Sequence, residues 1–175
     1  MHRTALRFAA AFLALAPTVA LAHPGHDGAG LAHGFAHPFG GVDHIAAMVA
    51  VGLLAARLGG RALWLVPASF VAAMAVAGVA GMAGMTLPYA ETGIAISVVV
   101  LGAIAAFGIA MPVAAAMGLV AFFAVFHGYA HGIEMPETAS GLAYGAGFVA
   151  ATAALHAIGI ALGLAIAGKA LRRAA

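Results

Sequence analysis

The fold class the sequence predicts is an all-α integral membrane protein, a compact bundle of about five transmembrane helices behind a cleaved signal peptide. Three observations predict it. Of the 175 residues, 65% are hydrophobic and only 7% charged, a balance outside the range of soluble globular domains. The apolar residues fall into blocks separated by turn residues, and each block with its flanks approaches the roughly 20 helical residues that cross a bilayer core. Alanine and glycine are abundant within the blocks, with small-xxx-small pairs at Gly141/Gly145 and Gly159/Gly163, a composition that lets helices approach closely.

Six hydrophobic segments are expected in the precursor. Residues 1–22 carry Arg3 and Arg7, an apolar stretch and then Ala20-Leu21-Ala22, the pattern of a secretory signal cut after Ala22. Residues 23–42 form a His-rich exported segment. The bundle proper is expected over residues 43–168, with spans at Ile45 to Leu58 plus flanks, Ala62 to about Ala83, Gly93 to Phe107 with flanks, Pro112 to about Tyr129, and Gly141 to about Ala167. Pro67 and Pro112 are expected near helix starts, where a missing donor costs little. A basic tail, 169–175, closes the chain.

Charge sets the expected orientation. Arg57 and Arg61 lie between the first two mature spans, and Lys169, Arg172 and Arg173 follow the last. With five spans these places share one side, which the positive-inside rule makes cytoplasmic. The exported N-terminus, Glu91, Glu134 and Glu137 then lie outside, and the expected location is the bacterial inner membrane. Loss of Arg3 and Arg7 leaves five basic and five acidic side chains, so no case for nucleic-acid binding remains.

The chain has no cysteine and nine histidines, which excludes thiolate chemistry and leaves nitrogen and oxygen ligands. In "HPGHDGAGLAHGFAH", residues 23–37, the histidines His23, His26 and His33 with Asp27 can gather metal, or form a solvated leader. In "HPFGGVDHIAAM" a Pro-Gly-Gly turn can fold His37 toward Asp43 and His44 at the start of a span. Asp43 alone would suit a helix cap, but a cap does not explain two flanking histidines. In "FHGYAHGIE" the pair His127 and His131 stands four apart on one helix face, with Glu134 on the same stripe if the helix continues. That is a two-nitrogen, one-oxygen set. His156 is alone in the last span, where an ionisable group marks a deeper ligand or a relay.

The arrangement His37-x5-Asp43-His44 followed by "AAM", together with "FHGYAHGIE" in the form FHGxAHGxE, resembles the HupE/UreJ family of nickel permeases over essentially the whole mature chain. The resemblance implies nickel import for hydrogenase or urease maturation, with His37, Asp43, His44, His127, His131 and Glu134 as the matching positions. Ni2+, or Co2+, is then substrate, and no permanently bound cofactor is expected. Imidazole and carboxylate donors suit Ni(II), Co(II) or Zn(II). Expected partners are the cation, the bilayer, and a second copy of the chain or further transport subunits.

Rival readings have distinct signatures. A membrane di-iron oxygenase would show HxxHH-type clusters, and an intramembrane metalloprotease HExxH; neither pattern occurs. A bis-histidine haem protein would need two histidines at one depth on facing helices, and a metal receptor would bind without flux. The expectation is a permease and no enzyme.

Overall fold

The computed structural model describes residues 30–135 and 139–174, and within them every regular element is helical. The signal peptide, His23, His26, Asp27 and Glu137 lie outside the described residues. A short helix, α1 (Leu31–Ala36), runs into a single 3-10 turn at His37–Phe39. Five longer helices follow: α2 (Val42–Leu58), α3 (Ala62–Met82), α4 (Ala90–Phe107), α5 (Val113–Glu134) and α6 (Ala139–Ala174).

Helices α3 to α6 are each long and apolar enough to cross a membrane, and α1 with its turn forms a fifth candidate together with α2, bent by 86°. The bend is where the sequence expectation of a simple first span is refined. Pro38 removes a donor, the Gly40 N–H closes back on the His37 carbonyl, and Gly41 is extended at φ −113°, so helix geometry cannot pass through. A Cβ on Gly41 would stand 2.6 Å from Asp43 Oδ1 and 2.9 Å from His44 Nδ1. The break and the side-chain site therefore depend on the same glycine.

Pro67 lies near the start of its span, as expected, but not where a missing donor costs little. It is the sixth residue of α3, inside the helix, beyond the first turn in which backbone N–H groups lack helical acceptors. Pro112 is the N-cap of α5, as its position suggested. The connection between α2 and α3 turns through Gly59 and Gly60, both at positive φ, a conformation that costs glycine little. Helix α6 is one 36-residue helix, about 54 Å long at 1.5 Å per residue. It outruns a hydrocarbon core of about 30 Å and carries Lys169 and Arg172 past the apolar stretch.

Close packing is concentrated along glycine seams. Helices α3 and α5 make the most extensive contact, followed by α2 with α6. A Cβ on Gly128 would strike the Met74 carbonyl, and one on Gly132 the Gly78 carbonyl. The glycines beside His127 and His131 thus serve close helix contact, and α5 runs unbroken through them. Gly159 meets Gly52 and the Val49 carbonyl in the same way, joining α6 to α2, and Gly147 abuts the Leu31 carbonyl, fastening α1 to α6.

The core between the seams is Phe70, Met48, Leu54, Leu101, Val51, Val66 and Val120, all essentially without exposure. Large apolar side chains such as Val76, Val79, Val99, Phe122 and Leu142 cover the outside, as a chain solvated by lipid requires. Several apolar spans make this a multi-pass membrane protein.

Candidate metal site

The polar residues collect at one end of the bundle, where α2 begins and α5 ends. Helix α5 continues through Glu134, beyond the expected end near Tyr129, so His127, His131 and Glu134 do share one stripe. The broken N-terminal span brings in the other group. The 86° bend places the His37 ring 4.8 Å from that of His131, edge to face, and its Nε2 is 3.5 Å from Glu134 Oε2. His37 thus folds back over α5, and the two sequence groups form one cluster.

Asp43 orders the centre of that cluster. Gly41, the N-cap of α2, has no side chain to cap with, and Asp43 in the first turn accepts the His44 backbone N–H at 2.8 Å. Its Oδ1 also lies 2.9 Å from His44 Nδ1. The Nδ1–H donates to the carboxylate, which fixes the tautomer and directs Nε2 away from α2, the arrangement that orients metal-ligating histidines. Asp43 is therefore not the helix cap that the sequence suggested, since Gly41 holds that position; it satisfies a first-turn donor and holds an imidazole.

Proton bookkeeping then identifies lone pairs. His44 Nε2 is 2.6 Å from His131 Nε2. With His44 protonated on Nδ1, the proton between the two Nε2 atoms comes from His131. Its Nδ1 is consequently bare, buried and without a hydrogen-bond partner, 3.7 Å from Glu134 Oε2. On α4, the buried Ser97 donates its hydroxyl to the Ile94 carbonyl at 2.6 Å and accepts from His127 Nε2 at 2.8 Å. His127 Nδ1 is then also a buried lone pair without a donor.

A buried acceptor is expensive to leave unsatisfied, and a lone pair facing a carboxylate is satisfied by a cation. His37, His131 and Glu134 offer one ligand atom each, all within 4.8 Å of one another. An ion about 2.1 Å from each donor holds neighbouring ligand atoms about 3.0–3.4 Å apart. The 3.5 and 3.7 Å separations to Glu134 require closure by less than an ångström, and the His37–His131 pair, within 4.8 Å, by up to about 1.8 Å.

Burial is graded through the site. Glu134 and His37 are 44% and 35% exposed at the mouth, whereas His131 is 6% and His127 0% exposed. His127 lies deeper than Glu134, because α3 packs against the glycine face of α5 and α4 covers it from the other side. His156 is buried on α6, its ring 5.2 Å from that of Phe70, which also touches His127 at 5.7 Å. His33 is exposed on α1, one turn before His37.

Sequence reasoning missed Ser97, Phe70, Phe148 and Tyr144. Phe148 packs 4.2 Å from the His131 ring and Tyr144 5.6 Å from that of His37. Ser97 had a signal, a hydroxyl inside an apolar run; the aromatics had none.

Comparison with known proteins adds the family. The HupE / UreJ protein family matches residues 11–175. The chain belongs to the HupE/UreJ family. Protein HupE of Rhizobium leguminosarum bv. viciae is 49% identical over 154 residues, covering 88% of this chain and 81% of that protein. No solved structure matches the chain significantly. The HupE/UreJ match includes both histidine motifs, and their convergence in space gives them a common chemical basis.

Proposed function

We propose that the protein is a permease that moves a divalent transition-metal cation, nickel foremost, inward across the bacterial inner membrane for hydrogenase or urease maturation. The observation that carries this reading is the graded series of donors from exposed Glu134 and His37 through His131 to fully buried His127. A site for a resident ion has no need of a ladder; a permeation route does, because each step replaces water with imidazole or carboxylate while binding stays weak enough for release.

In this reading Glu134 and His37 capture the hydrated ion, His131 removes further water, and His44, held by Asp43, shares in the relay to His127. The route runs among α2, α3, α5 and α6. Aromatic residues of α3 and α6 complete the walls beside α2 and α5. The mouth faces the periplasm and the basic C-terminal tail the cytoplasm. The membrane potential then drives uptake, at about 4.6 kcal/mol per 100 mV for two charges. Coupling to another ion, other subunits or a second copy of the chain would add to that drive. The same donors accept Co2+, so cobalt is the competing cargo. The activity is transport, with no chemical conversion.

Radiolabelled nickel uptake in cells provides the test. His44→Ala and His131→Ala, at normal protein levels, are expected to abolish uptake above background. Undiminished uptake in both would sink the assignment, and preferential rescue by cobalt would reassign the cargo.

A further inference from the structure

His156 is unexplained by the outer cluster. It is 2% exposed, and both ring nitrogens are buried without a hydrogen-bond partner among the described residues. One of the two must carry a proton and the other a lone pair, so the bundle interior holds an unsatisfied donor and an unsatisfied acceptor. Buried polar groups are otherwise almost always paired. An intramembrane imidazole left in this state marks a pathway more than a packing element.

Its surroundings form a ladder between two helices. Phe70 and Met74 stand one turn apart on α3; His156 and Thr152 stand one turn apart on α6. Phe70 packs edge-on against His156 at 5.2 Å, and the Thr152 hydroxyl donates to Met74 Sδ at 3.8 Å. Helices α3 and α6 otherwise contact each other sparingly. The space between them and α5 is a cavity of about 290 Å³, whose walls include His131, Phe148, Gly128 and Met74. This cavity leads from the outer cluster to the Met74 rung. Neither Phe70 nor His156 lines it; beyond it the Phe70 ring packs between the outer cluster and the inner histidine, 5.7 Å from the His127 ring and 5.2 Å from that of His156.

We propose that His156 is an inner cation station and that Phe70 is the gate separating it from the outer histidine cluster. The inference rests on the transport reading. In the state described the gate is shut, and the apolar layer of Val66, Leu54, Val120 and Leu155 packs the core around it. Rotation of one aromatic ring would let an ion pass from His127 to the free nitrogen of His156, with the Thr152 hydroxyl and Met74 thioether available beside it.

The full chain, purified and reconstituted into calcein-loaded vesicles, tests this with Co2+, whose visible absorption reports its ligand sphere while influx is followed separately. His156→Ala is expected to keep the outer-site Co2+ spectrum and to lose about tenfold or more in influx, the scale on which losing a supporting ligand acts. His156→Gln, which keeps the side-chain bulk, is expected to lose influx likewise. Phe70→Ala is expected to raise influx while the vesicles retain calcein, a result that structural damage does not produce. Wild-type influx in all three variants, with Co2+ still bound, would overturn the inner station and leave the outer site standing. Absence of influx through the unaltered chain would overturn transport itself, and the gate with it.

Discussion

His44 and His131 face each other Nε2 to Nε2 at 2.6 Å, joining the start of α2 to the last turns of α5. This contact ties the two sequence motifs into one unit. With a neutral His44 protonated on Nδ1, the shared proton sits on His131 Nε2 and leaves its Nδ1 as a lone pair beside the Glu134 carboxylate. The candidate cation site follows from that assignment of one shared proton.

Asp43 is predicted to act through His44. Asp43→Asn keeps the shape but removes the charge that fixes the His44 tautomer at 2.9 Å. Nickel affinity of the purified chain, measured by calorimetry, is expected to fall by about 10–100-fold, the usual effect of losing a partner that orients a ligand. Affinity equal to the parent protein would show that the carboxylate serves only the first turn of α2.

Acid is predicted to weaken binding. Imidazole ligates only when neutral, metal binding releases protons, and burial at the mouth pushes the His37 imidazole below its ordinary value, so protons compete on the acid side of about pH 6.5. The sign follows: affinity rises as pH increases through that region and falls as it decreases. Nickel affinity is expected to stay nearly level between about pH 7.5 and 6.5 and to drop from there toward about pH 4.5, by up to about tenfold per unit for a single competing imidazole. A flat profile would mean that the carboxylate of Glu134 alone holds the ion.

The glycine seam between α3 and α5 is predicted to be intolerant of side chains. Gly132→Val forces a Cβ into the Gly78 carbonyl, which is backbone and cannot rotate aside. Thermal unfolding in detergent is expected to show a loss of about 1–3 kcal/mol, the cost of overpacking. Gly118→Ala on the same helix meets nothing within 4 Å and is expected to unfold like the parent.

Much of this fold is readable from hydropathy because lipid leaves helices few alternatives, and each long span appears where its apolar block lies. The bend at Gly40-Gly41 was foreshadowed by Pro38 and the glycine pair. Its consequence, His37 crossing over to Glu134 on another helix, depended on a tertiary contact that no local pattern contains. Both ligand groups were visible in the His and acid spacings of α2 and α5. The aromatic walls were not, since Phe70 and Phe148 look like any other apolar residue until α3 and α6 are placed.

The central claim is that the cluster around His131 passes nickel through the membrane, and flux into vesicles measures it most directly. Proteoliposomes of the full chain, with an inside-negative potential, are compared with vesicles bearing His131→Ala and with empty vesicles. Saturable nickel entry through the unaltered chain, reduced to the empty-vesicle rate by the substitution in a protein that remains monodisperse, is the predicted result. Equal entry through both forms, or none through either, would contradict it.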